Sequence, residues 1–162
     1  MKNYDKKTKQ ASIVLVKLKK PFKPNILVNK ASIADHNSPL PDRDNYCQIV
    51  TWGLVKKTRN IWLRGIKDQI GNINYDCGQK NGILADFCML WKNGYSLSEV
   101  DVGSPLMCYS KVRQKFILNG LNISPPKHLD GRVPRSFISI SKYRPWIDST
   151  IKEHSNDKFI DL

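Results

Sequence analysis

The side chains able to carry chemistry in this sequence are few, and their spacing decides between uses. Four cysteines, Cys47, Cys77, Cys88 and Cys108, form no Cys-x-x-Cys pair, which removes the usual zinc and dithiol-exchange arrangements. An even number favours disulfides and an oxidising compartment, and the spacing does not choose among the connectivities that four cysteines allow. Of the three histidines, His36 lies in a Pro/Asp/Asn-rich stretch, His128 beside a Pro-Pro pair and His154 near the C-terminus. None has ligand spacing to another, so all three read as surface histidines, and no metal or cofactor is expected. Asn122-Ile123-Ser124 is a formal glycosylation sequon at the end of an expected strand, so Asn122 is a candidate attachment site if the chain enters a lumen.

The charge is uneven. Lysine and arginine total 27 against 14 acids, a net +13, enough for a field that attracts polyanions. Residues 1–30 hold nine lysines against the single acid Asp5. Such a run is more often a solvated face than a site, because a polyanion site needs its cations on one surface. The first ten residues are too polar for the apolar core of a secretory signal. No apolar run reaches the roughly 18 residues of a membrane span.

Positioning these groups falls to short β-type segments. Residues 13–18, 47–52, 105–108, 115–122 and 136–140 are rich in Val, Ile, Leu, Phe and Trp and bounded by turn formers, the spacing of a barrel or sandwich. Pro21, Pro24, Pro39 and Pro41 fall in a long connection from about 19 to 45, where fixed φ and missing donors disfavour regular structure. Residues 141–153 set Tyr143, Trp146, Ile147 and Ile151 at helical spacing, with Pro145 in a first turn. At 162 residues and 40% apolar composition the chain is long enough for one cored domain without a metal.

Four segments in order resemble the trypsin-like serine proteases. Residues 12–18, SIVLVKL, are similar to the D-I-A-L-L-K-L strand that delivers the catalytic aspartate, and residues 47–53, CQIVTWG, to the C-x-V-S-G-W-G strand opening the second barrel. Residues 100–108, VDVGSPLMC, resemble G-D-S-G-G-P-L-M-C around the nucleophile, and residues 133–147 the P-G-V-Y-T-R-V-x-x-Y-x-x-W-I ending. The resemblance implies an all-β fold, a trypsin-like antiparallel Greek-key barrel comprising the second barrel and the last strand of the first, with a C-terminal α-helix. It implies a basic tail over 1–10, an incomplete trypsin-like domain over 11–154 and a tail over 155–162. It also implies disulfides Cys47–Cys108 and Cys77–Cys88, and makes Trp52 and Trp146 core residues; Trp62 and Trp91 have no such match.

The same resemblance implies that the chemistry is gone. Acyl transfer in this family needs a hydroxyl nucleophile, a histidine base and a carboxylate that fixes the histidine tautomer. Val102 stands at the nucleophile position, Ser104 falls two residues away at a family glycine, and Ser12 replaces the carboxylate. Val100 replaces a glycine that shapes the oxyanion hole. Asp101 sits where the family pairs a new amino terminus, and reads as a residue whose partner has gone. Ser96 occupies the floor of the specificity pocket, and Pro125 and Arg135 replace two wall glycines.

The expectation is therefore an inactive protease homologue, not an enzyme, whose role would be binding. The alternatives are a product of a decaying protease gene without selected function and, more weakly, a polyanion-binding basic module. The family implies secretion, although this chain shows no signal peptide. The sequence names no partner; a protein covering missing first-barrel surface is the kind the resemblance suggests.

Overall fold

The computed structural model describes residues 13–41, 46–51, 64–67, 73–74, 85–89, 102–123 and 135–155. Their strands are β1 (Ser32–Ile33), β2 (Cys47–Thr51), β3 (Arg64–Lys67), β4 (Ile73–Asn74), β5 (Phe87–Met89), β6 (Pro105–Ser110), β7 (Lys115–Asn122) and β8 (Arg135–Ser139), followed by α1 (Ile140–Glu153). They form one sheet in the order β3-β2-β6-β7-β8-β5-β4, with β1 added parallel to β7 and every other pairing antiparallel.

Alternation sets which side chains turn inward. In β2, Cys47, Ile49 and Thr51 are buried while Gln48 and Val50 are half-buried, the period of two that a half-covered strand requires. β6 meets it in antiparallel register with Cys47 opposite Cys108 and Ile49 opposite Leu106. Those four residues, with Phe87 from β5 and Phe137 from β8, make the inner core, and the two rings stack at 5.3 Å. Between Leu106 and Met107 the β6–β7 register slips, leaving Asn119 as an extra residue in β7, a bulge that bends the strand.

A second apolar cluster lies where α1 meets the sheet. Ala34, Ile117, Ile140 and Ile147 are buried there, with Ile13, Ile33 and Tyr143 packed around them. The helix buries Ile140, Ser141 and Ile147, whereas Trp146 is 40% and Ile151 57% exposed. Trp146 is thus not the core residue the resemblance implied. The apolar stripe is wider than the face the sheet covers, and Trp146 lies one position off the 140, 143, 147 line. Pro145 is not in the first turn either: it is the sixth helical residue and removes the N–H that the Ser141 carbonyl would have received.

Residues 13–18, expected as a strand, are not one. Their composition suits a half-buried pleated surface, but no described strand pairs with them. Only Ile13 is drawn into the helix cluster, and Val14, Val16 and Leu18 are more than half exposed. The segment is tied down by Lys17, whose Nζ donates to the His154 carbonyl at 2.8 Å, a cation at the negative end of the helix. Trp52, Trp62, Trp91 and His128 lie outside the described residues.

Candidate functional site

The segment that resembles the family's nucleophile loop enters β6 through a short turn. Gly103 has φ +89°, which a glycine adopts without strain, and a Cβ there would meet nothing within 4 Å. The requirement is therefore conformational, not steric. Its N–H donates to the Asn122 carbonyl at 2.7 Å, and the Asn122 N–H donates to the Ser104 carbonyl at 3.0 Å, so the turn is fastened to the end of β7. Ser104 is buried and Val102 is 48% exposed. Among the described residues of this turn, the side chain offered to solvent is a hydrocarbon, with no atom able to attack a carbonyl or exchange a proton.

Ser12, Ser96, Val100, Asp101, Pro125 and Cys77 lie outside the described residues. Arg135 opens β8 opposite Met89. Cys47 and Cys108 are joined, and Cys88 is itself disulfide-bonded. Asn122, the residue of the sequon, is 1% exposed in β7, and that burial weighs against a glycan on its side chain in the folded chain.

A second set of reactive residue types meets elsewhere, unannounced by any motif. His36, Asp86, Ser139, Ser141 and Lys142 line a cavity of about 300 Å³ at the start of α1. Serine, histidine and aspartate come together here, but the bonds are not those of a triad. Ser139 Oγ and Ser141 Oγ are hydrogen-bonded to each other at 2.9 Å and buried. His36 Nδ1 faces the Ser141 carbonyl, not its hydroxyl, at 3.4 Å. Asp86 accepts the Ser139 N–H at 2.8 Å and the Lys142 ammonium, far from orienting the imidazole. Among the described residues no base is hydrogen-bonded to either serine hydroxyl, the contact that nucleophile activation requires.

The cavity's electrostatics serve the helix. Ser139 is the N-cap residue but makes no side-chain cap, and the first turn of α1 has no acid. Asp86, brought in from the residue before β5, supplies a carboxylate at the positive end of the helix dipole. Its hydrogen bond raises the Lys142 pKa above the usual 10.5, with burial acting against it. Burial, and then the Asp86 charge, raise Tyr143 above 10.0. Asp35 makes a parallel clasp: it pairs with Arg113 of the β6–β7 turn and with Arg144 of α1 at 3.4 Å, while Arg144 also holds Asp148 at 2.9 Å. A larger concave region of about 360 Å³, lined by Tyr46, Tyr109, Pro39 and Asn119 among others, likewise excludes Val102.

An antiparallel sheet bridged by a disulfide between β2 and β6, a glycine turn fastened to β7 ahead of β6, and a terminal helix fed directly by β8 define the trypsin-like fold. The Trypsin family model matches residues 1–147, and the chain belongs to that family. It is 28% identical over 148 residues to mast cell protease 2 of Ovis aries, covering 88% of this chain and 56% of the relative. The crystal structure of the scabies mite inactivated protease paralogue S-I1 superposes with a TM-score of 0.70 at 24% identity, over 93% of this chain and 64% of that one. The chain thus spans a little over half the length of the curated relative it matches.

Proposed function

We propose that this chain is a non-catalytic trypsin-like homologue, a pseudoprotease acting by binding. The observation that carries the reading is Val102: in the turn before β6, at the nucleophile position, the exposed side chain is an isopropyl group. Ser12 at the carboxylate position, Val100 at the oxyanion-hole glycine, and Ser96, Pro125 and Arg135 around the specificity pocket agree with it. The scabies mite neighbour, described as an inactivated protease paralogue, has the same fold without catalysis. Residues 11–154 are the trypsin-like domain in this reading, and Asp101 is a remnant of the activation contact. Secretion fits the family and the disulfide.

The test is labelling by a serine-directed phosphonate together with peptide and ester hydrolysis. Neither is expected, and Val102→Ser is expected to remain inert, because a serine without an aligned base keeps only residual rate. Burst kinetics in Val102→Ser would overturn the proposal.

A further inference from the structure

Residues 13–30 contain Lys17, Lys19, Lys20, Lys23 and Lys30 and no aspartate or glutamate. Every residue from 14 to 30 is exposed. Within this basic stretch a tight loop turns two large apolar side chains into water: Ile26 is 99% and Leu27 89% exposed, flanked by Phe22 and Val28. The loop is closed by its own hydrogen bonds. The Asn25 N–H donates to the Val28 carbonyl at 2.8 Å, and Asn25 Oδ1 accepts the N–H groups of Leu27 at 2.8 Å and Val28 at 2.9 Å. These backbone groups at the tip are satisfied internally, so the tip faces outward with hydrocarbon. Ile13 in the helix cluster and Lys17 on the His154 carbonyl hold the start of the segment to the domain.

We propose that this segment docks on an anionic lipid surface, with Ile26 and Leu27 entering the acyl boundary and Lys20, Lys23 and Lys30 meeting the headgroups. A convex apolar tip needs a partner that deforms around it, which a bilayer interface does without a preformed pocket. The lysine stems add hydrocarbon while their ammonium groups stay at headgroup level. The charge sets the class of lipid, because cations beside an anionic leaflet are attracted and near a zwitterionic one are not. A second copy of the chain would bring like charges face to face. A nucleic acid or sulfated glycan would satisfy the lysines but leave Ile26 and Leu27 in water.

Co-sedimentation of the full chain with vesicles tests this, using phosphatidylcholine alone or with about 30% phosphatidylserine in about 0.1 M salt. Binding is expected to the phosphatidylserine vesicles and to fall as salt rises. Each lysine near the surface raises partitioning roughly fivefold, so Lys20→Gln with Lys23→Gln should lower it by about twenty-fivefold. Ile26→Asp with Leu27→Asp should lower it at least about tenfold. Ile151→Asp, an exposed apolar site on α1, should leave it unchanged, and all variants should melt as the parent does. Absent binding, equal binding to both vesicles, or an Ile26→Asp, Leu27→Asp variant that binds like the parent would each overturn the proposal. The last outcome, with heparin as an equally good ligand, would mark a general polyanion surface instead.

Discussion

His36 Nδ1 lies 3.4 Å from the carbonyl of Ser141, the carbonyl that α1 cannot use because the residue four positions on is Pro145. A carbonyl only accepts, so the imidazole donates through Nδ1–H, and a side chain from the loop after β1 stands in for a missing helix N–H. The two residues should therefore be energetically coupled. His36→Ala is expected to cost about 1 kcal/mol. In a Pro145→Ala background, where residue 145 regains its N–H, the same substitution should cost markedly less. Urea denaturation of the double-mutant cycle measures the coupling, and equal costs in the two backgrounds would show that His36 does not serve that carbonyl.

Gly120 in β7 predicts a reversal of the usual glycine rule. Replacing a strand glycine by alanine ordinarily gains about 0.5–1 kcal/mol. Here the added Cβ would lie 2.9 Å from Phe87 Cζ and 3.1 Å from the Ile138 carbonyl oxygen. Phe87 is 0% exposed and stacked on Phe137, so its ring has little room to retreat. Gly120→Ala should destabilise by about 1–3 kcal/mol. Phe87→Leu should absorb part of that cost, making the double variant less unstable than the single effects added together, as chemical denaturation would report.

Alkaline pH should lower the stability of the chain through the start of α1. Lys142 is raised chiefly by its hydrogen bond to Asp86, and Tyr143 chiefly by burial. Both groups hold their protons more tightly folded than unfolded, so their contribution is complete below 10.0 for Tyr143 and 10.5 for Lys142 and is lost as pH rises past those values. Asp86→Asn removes the leading cause at Lys142 but leaves the burial of Tyr143. Denaturation midpoints compared between about pH 9 and about pH 11.5 should fall in the parent and fall less steeply, though still fall, in Asp86→Asn. A parent midpoint flat across that range would contradict the mechanism.

Local pattern made most of these elements legible. Residues 115–122 appear as β7 with the expected ends, and the expected segments at 47, 105, 136 and 141 differ from β2, β6, β8 and α1 by two residues at most. Where neighbours decide, pattern failed. Residues 13–18 have strand composition but no described strand to pair with, and the two-residue β1 owes its place to β7, far along the chain. The exposure of Trp146 depends on how wide a helix face the sheet covers, which helical spacing does not state. Val102 drew attention because the segment that resembles the nucleophile motif, residues 100–108, is contiguous. The meeting of His36, Asp86 and Ser141 was not legible, since those residues converge only when the strands pair.

The bridge between Cys47 and Cys108 yields the last prediction. The two residues are Cα partners across β2 and β6, are 1% and 4% exposed, and are 61 positions apart in the chain. Closing a loop of that length removes denatured-state freedom worth on the order of 4 kcal/mol. Ile49 and Leu106, paired two residues along the same strands and each 0% exposed, hold the register independently of the sulfurs. Reduction should therefore lower stability steeply while leaving a folded form whose two thiols still face each other, so that reoxidation restores the same pair. Non-reducing peptide mapping after a reduction and reoxidation cycle should return Cys47 with Cys108 and Cys77 with Cys88. Recovery of Cys47 joined to Cys77 or to Cys88 would mean that the strand register does not survive without the bridge.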